Sequence, residues 1–285
     1  MMSRVARRKA YNAIFVVACF VATGIAIGAL ALILYSLIEK GAPGINATLF
    51  LVDTRSPCDA ADTTCIHGGL RNAFVGSALM LAVAMLIALS VGILAGTWLS
   101  EYGGETPYGH VVRFLNDVLL SAPSILVGVA IWQLLVKPWT FSGWAGSVAL
   151  AVLAAPVVTR TTEDILQLQS SALREAGSAL GTPHWQVVRK IVWRAAGGGL
   201  ATGGLLAFAR ISGETAPLLV TAGGNNFFSL NMSGWMANVP QVIFNNAENA
   251  FPDLVQIAWA GSLVMALVVL AVNIIGRIIA REQRR

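Results

Sequence analysis

Long stretches without charge alternate with short polar segments along the chain. Six apolar stretches stand out, at about residues 12–38, 72–100, 118–136, 141–159, 195–220 and 254–276. Each comes close to or exceeds the roughly 20 residues that a helix needs to cross the hydrocarbon of a bilayer. None alternates apolar and polar positions at period two, so a transmembrane β-barrel is not expected. The fourth stretch contains Pro156, and the fifth contains Arg210 and Glu214. The pattern predicts an all-α integral membrane protein with six transmembrane helices, residues 1–285 forming one transmembrane domain.

Composition sharpens this. Of 285 residues, 56% are hydrophobic and only 12% charged, against about 25% charged in soluble domains. The basic start, Met1 to Lys9, runs straight into an apolar stretch too long for a signal peptide and without a convincing cleavage site, so it reads as an uncleaved first span. Orientation follows from Lys and Arg. With the N-terminus inside, fourteen fall on inner segments and four (Lys40, Arg55, Arg71, Lys137) on outer ones. Both termini are therefore expected in the cytoplasm. The second span carries small residues at Ser77, Ala84, Ala88, Gly92 and Gly96, which lets membrane helices approach closely.

The polar segments add little catalytic chemistry. His67, His110 and His184 lie outside the spans and are not clustered, and no G-x-x-x-x-G-K-[ST] loop is present. No cofactor is expected in this chain, and no nucleic-acid partner. Asp117, near the inner end of the third span, is assigned a structural role. Cys19 reads as packing in the first span. Cys58 and Cys65 share the first outer loop, Glu39 to Gly69. Their spacing is wider than C-x-x-C, and a disulfide is open to them in an oxidising compartment, two free thiols being the alternative. The last outer loop, Gly223 to Asp253, is rich in aromatics, and a short interfacial helix is expected at about Ser233 to Phe244, broken near Pro240.

Between the fourth and fifth spans, residues 160–194 are polar and basic. From Arg174 they read R-E-A-G-S-A-L-G-T-P-H-W-Q-V-V-R-K-I-V-W-R. Ala172, Ala176 and Ala179 put small apolar groups on one helix face. Gly181 suits a left-handed helix end, and Thr182-Pro183 a new helix start. The segment is expected to be helix, tight turn, helix. Glu175-Ala176-Gly177, then Gly181, then Ile191 resembles the EAA loop of bacterial ABC importer permeases, E-A-A-x3-G-x9-I-x-L-P. Gly177 departs from the third position, and Trp193-Arg194 stands in place of the closing Leu-Pro. The resemblance implies a type I ABC importer permease fold, with residues 160–194 as a cytoplasmic coupling loop. Glu175, Ala176, Gly177 and Gly181 would then couple to an ATPase.

The fifth stretch reads F-A-R-I-S-G-E-T-A-P-L-L-V-T-A-G over residues 208–223. On one continuous helix Arg210 and Glu214 would share a face. Each is expensive in lipid, roughly 2.5–3.5 kcal/mol for Arg at a span centre, so a mutual ion pair is the economical arrangement. Ser212, Gly213, Thr215 and Pro217 suggest a locally loosened helix. Guanidinium also matches the oxygens of an anion such as phosphate or sulfate. An ion pair that only fixes helix position fits the residues equally well.

This run resembles the signature of the PstA-type permeases of bacterial phosphate ABC importers. Gly68-Gly69-Leu70, Asn72-Ala73, Gly76-Ser77 and Ser121-Ala122-Pro123-Ser124-Ile125 with Gly128 are similar to that family at matching places. The resemblance implies inorganic phosphate as substrate, Arg210 and Glu214 on its pathway, and a multi-pass place in the bacterial plasma (inner) membrane. It implies as partners a second, PstC-like permease subunit, a PstB-like ATPase dimer that binds ATP and Mg, and a PstS-like phosphate-binding protein. An ABC permease for sulfate or molybdate is the alternative within the class. A secondary transporter is the alternative outside it, although no repeated halves are visible.

Overall fold

The structure is a computed structural model and describes residues 4–55 and 68–282. Cys58 and Cys65, with their expected disulfide, lie outside the described residues. The helices in chain order are α1 (Arg4–Gly41), α2 (Ala47–Leu51), α3 (Arg71–Trp98), α4 (Pro107–Ser121), α5 (Ser124–Ile131), α6 (Gly143–Gln167), α7 (Ser171–Ala179), α8 (His184–Val187), α9 (Trp193–Ser212), α10 (Ala216–Thr221), α11 (Val239–Asn246) and α12 (Pro252–Glu282). Three π-helical turns, Leu99–Gly103, Trp132–Val136 and Val188–Val192, extend α3 and α5 and join α8 to α9. Five helical stretches are long and apolar enough to cross a membrane, and a sixth if the bent pair α4–α5 counts as one span.

The core forms around α6, whose buried residues run along most of its length, among them Ala145, Ala149, Leu150, Leu153, Ala154 and Val158. Its largest partner is α3. Along α3, Gly76, Met80, Ala84, Ala88, Gly92 and Gly96 recur every four residues and are all buried, a ridge that fits a crossing helix. A β-carbon on Gly96 would stand 2.5 Å from the Thr159 carbonyl oxygen, and one on Gly92 2.6 Å from Val158 Cβ. Small residues here set the distance between the two spans. α1 packs chiefly on α12. Its contact lies at its last turn, where Gln256 Nε2 donates to the Lys40 carbonyl (2.8 Å) and the Lys40 ammonium sits 4.9 Å over the Trp259 ring. Residues 11–35 of α1 are exposed in the isolated chain, Cys19 included, so Cys19 does not pack in this chain's own core.

Several element boundaries differ from the sequence expectation. The third span begins at Pro107 rather than about residue 118: Thr106 caps α4 by accepting from the Gly109 amide (3.1 Å), and Arg113 is absorbed by an ion pair with Glu163. The polar segment between the second and third apolar stretches shrinks accordingly. The same span bends by 105° between α4 and α5. Ala122, preceding Pro123, is extended (ψ 136°), as steric clash with a following proline ring favours.

The fifth span is not continuous over 195–220. Its helix starts at His184, stops at Ser212 and resumes at Ala216. In an unbroken helix the Pro217 ring would meet the Gly213 carbonyl. α6 runs on to Gln167, past residue 159, with Arg160 and Asp164 paired at 3.4 Å. Pro240 starts a helix instead of breaking one: α11 has it in the first turn, capped by Asn238, whose Oδ1 accepts from the Gln241 amide (2.9 Å).

At the end of the bundle opposite α7, the loops are tied together. Arg71 pairs with Asp53 (2.8 Å), the Phe228 amide donates to Asp53 Oδ2 (2.9 Å), and Asn72 Nδ2 donates to the Asn225 carbonyl (2.6 Å). The Asp53 carboxyl is held below the usual carboxylate range, chiefly by the Arg71 hydrogen bond, with burial opposing and the Phe228 amide assisting.

Candidate functional site: a broken-span cleft and a docking helix

Two interrupted spans meet inside the bundle. α10 packs on α5, and Gly128 lies so close to Pro217 that a β-carbon would stand 2.7 Å from the Pro217 Cα. α10 also packs on the turn Trp132–Val136, and its last residue, Thr221, accepts from the Ser142 amide beyond that turn (3.1 Å), so the two helices run the same way. α10 begins one residue before the Gly128–Pro217 contact and α5 one turn before it. The breaks at Ala122–Pro123 and Gly213–Thr215 therefore both lie within two helical turns of the contact along the chain, and helix-start amides there lack intrahelical acceptors.

Arg210 sits in the last turn of α9, just before its break, and Glu214 sits within the break. The expected Arg210–Glu214 ion pair does not form: among the described residues neither side chain has a hydrogen-bond or ion-pair partner. The helix ends between them, so the shared face is lost. Arg210 is exposed in the isolated chain and continues an exposed stripe through Thr202 and Leu206, while Ala196, Gly203, Ala207 and Ile211 are buried. Glu214 is half-buried. Asp117 is exposed on α4, and its neighbour Asn116 donates to the Pro156 carbonyl (3.3 Å).

The second feature is α7. Ser170 caps it, accepting from the Ala172 amide (3.2 Å), and Gly181 ends the turn at φ +72°. The next helix starts after Pro183, one residue later than the Thr182 cap suggested, and runs without a stop through Val188–Val192 into α9. With Trp193-Arg194 in place of Leu-Pro, nothing interrupts it, and Trp193 Nε1 donates to Thr97 Oγ1 on α3 (3.2 Å).

Gly177 is buried against Val187 and Ile191; a β-carbon would lie 2.9 Å from both Val187 methyls. Ala172, Glu175, Ala176 and Ala179 face outward. Around them Leu168 (82%), Leu180 (84%) and Trp185 (55%) are exposed. A short helix with a small apolar face, flanked by exposed leucines and a tryptophan, suits close approach of another protein surface.

The sequence expectation did not single out Glu101. Its carboxylate accepts from Arg174 and lies 3.6 Å from His184 Nε2. His184 also meets Tyr102 edge-on, with ring centroids 5.3 Å apart. The Arg174 guanidinium is held more basic than usual, chiefly by its hydrogen bond to Glu101. The available signal was a lone carboxylate at the end of an apolar run.

Residues 88–285 match the family model for the binding-protein-dependent transport system inner membrane component. The chain is 47% identical over 272 residues to the phosphate transport system permease protein PstA of Pasteurella multocida, covering 95% of each chain. It is 44% identical to the protein of the same description from Haemophilus influenzae, covering 97% of this chain and 96% of that one. In fold it is similar to a chain of the MetNI methionine ABC transporter, with a TM-score of 0.63 at 21% identity, covering 76% of this chain and 96% of that chain. These likenesses carry over a type I permease fold with several membrane-crossing helices, and the chain belongs to the PstA group of the binding-protein-dependent transport system inner membrane components.

Proposed function

We infer that this chain is the permease subunit of an ATP-driven importer of inorganic phosphate and forms half of its translocation path. It is a transport component and not an enzyme. The observation that carries the reading is Arg210, a guanidinium inside an apolar span, exposed in the isolated chain and without a side-chain partner among the described residues. In lipid such a group costs roughly 2.5–3.5 kcal/mol. A water-filled path with a passing oxyanion removes that cost and uses the planar donor fork. Glu214, in the break that follows, keeps the cation from holding the anion too tightly. The names of the close relatives support phosphate over sulfate or molybdate.

In this reading the other half of the path comes from a PstC-like permease facing Thr202, Leu206 and Arg210. A PstB-like ATPase dimer, which binds ATP and Mg, docks on Glu175 and Ala176 and the surrounding exposed leucines, with the buried Gly177 seating the helix on Val187 and Gly181 fixing the turn. A PstS-like protein delivers phosphate at the opposite end. The bundle end carrying α7 also carries Arg113, Arg160, Arg189, Lys190 and Arg194, so it faces the cytoplasm with both termini. Closure of the ATPase dimer on ATP draws the coupling helices together and opens the path outward. Hydrolysis resets it.

The test is labelled phosphate uptake by phosphate-starved cells carrying wild-type or Arg210→Gln protein at matched expression, with sulfate as competitor. Uptake lost in Arg210→Gln and indifferent to sulfate is expected. Normal uptake by Arg210→Gln removes Arg210 from the path, and strong sulfate competition moves the substrate to another oxyanion.

A further inference from the structure

At the bundle end that carries α7, two buried carboxylates are each met by one arginine. Glu101 lies in the π-helical turn Leu99–Gly103, with its side chain 2% exposed. Arg174 Nε donates to both of its oxygens (3.0 and 3.2 Å), and Nη2 donates to Oε1 (2.6 Å). The same guanidinium donates to the carbonyls of Leu166 and Gln169, each at 2.8 Å, where α6 ends. One side chain of α7 thus holds the tips of α3 and α6 together.

The second pair extends the link. Arg113 on α4 donates to Glu163 on α6 (2.7 Å) and to the carbonyls of Leu99 (3.3 Å) and Gly104 (2.7 Å), on either side of Glu101. α4 is the first half of the bent span whose second half, α5, packs on α10 just beyond the break that follows Arg210. A rigid path of charge-assisted hydrogen bonds therefore runs from α7 through α3 and α6 to α4.

Seating α7 on its own side of the loop does not need this arrangement. Gly177 already packs α7 on Val187 and Ile191, in the helix that follows it. Among the described residues, every side-chain hydrogen bond from α7 to the preceding spans passes through Arg174. Without it, α7 would be linked to α3 and α6 only indirectly, through α8, whose His184 meets Glu101 and Tyr102 and whose Val187 packs with Leu166.

We propose that Arg174 and Glu101 are the joint that carries displacement of α7 to the tips of α3 and α6, and through Arg113 to α4, so that this pair sets how much ATP hydrolysis becomes transport. The proposal rests on reading this chain as an ATPase-driven permease. Both are positioning residues, touching neither nucleotide nor substrate.

The test uses the whole importer, with both permease subunits, the ATPase pair and the binding protein reconstituted in liposomes, carrying Glu101→Gln or Arg174→Lys. The first keeps the side-chain shape and removes the charge. The second keeps the charge and loses the fork that reaches Glu101 and the α6 carbonyls together. Assembly is checked by co-purification, and the readout is ATP hydrolysed per phosphate imported. Uptake is expected to fall about tenfold while binding-protein-stimulated hydrolysis falls less than about twofold, raising the ratio about fivefold or more.

An unchanged ratio overturns the joint. So does a proportional fall of uptake and hydrolysis in assembled complexes, which would mean that the pair only seats α7 for the ATPase. If Glu101→Gln does not assemble, Arg174→Lys carries the test; if neither assembles, the pair is a folding staple and the proposal fails. Failure of the functional reading looks different, because the wild-type complex itself would import no phosphate, and the ratio is then measured with the anion it does import.

Discussion

Gly76 on α3 faces the Ala237 carbonyl so closely that a β-carbon would stand 2.1 Å from its oxygen and 2.9 Å from Met236 Cγ. Gly76→Ala therefore forces backbone away from backbone, since no rotamer can move the carbonyl aside. Restoring ordinary contact takes a shift of roughly 1 Å or more. The hydrogen bond next to it, in which the buried Val239 amide donates to Ser77 Oγ at 2.9 Å, would stretch out of range. An unpaired buried amide costs about 1–3 kcal/mol, and overpacking costs typically another 1–3 kcal/mol. Alanine returns about 1 kcal/mol as the better helix former. The net expectation is a destabilisation of about 3 kcal/mol, within roughly 1–5 kcal/mol. The assay is reversible unfolding in mixed micelles titrated with SDS, followed by tryptophan fluorescence. Gly28→Ala is the companion variant, because nothing lies within 4 Å of a β-carbon there, and it should stay within about 1 kcal/mol of wild type. Equal stability of the two variants would refute the reasoning.

Arg113→Met should destabilise by about 3–5 kcal/mol, because it strands the Glu163 carboxylate, 4% exposed, beside Gln167 alone. The double variant Arg113→Met/Glu163→Gln should recover most of that loss in the same unfolding assay, and no recovery would mean that the charge is not the cause. Asp53 has its carboxyl depressed by Arg71, so its contribution is present above the unfolded value of about 3.9 and is lost as pH falls through the lower folded value. Protection of the Phe228 amide in hydrogen exchange, corrected for intrinsic rate, should hold at neutral pH and drop in strong acid. Asp53→Asn should lower protection at neutral pH and remove the acid-dependent drop; an identical pH profile in the variant would count against the tie.

Apolar run length made the spans legible, and the buried Gly and Ala positions of α3 lay where small residues had been marked. The helix ends were less legible. Arg113, Arg160 and Glu163 read as loop residues by charge, yet each lies within a helix, two of them because Arg113 and Glu163 neutralise one another across 50 residues of chain. Local spacing carries no trace of such a pairing, and the same holds for Glu101 and Arg174, 73 residues apart. Spacing four apart implied a shared face for Arg210 and Glu214, and Pro217, already visible, should have weighed against the continuous helix this needs. Gly177, a departure from the resembled motif, has its physical reason in the proximity of Val187, which only the folded loop reveals.

The placement of α1 bears on how the protein is made. α1 leaves the ribosome well before α12, yet in this chain it binds chiefly to that helix, through groups as far apart as Lys40 and Gln256, 216 positions along the sequence. Until α12 is inserted, α1 has almost no native surface of this chain to rest on, and it must wait in the lipid as an independent helix. Spans α3 to α10 can meanwhile assemble around α6. α1 then docks at Gly41 and Gly44, where the absence of side chains lets Trp259 and Gln256 close in.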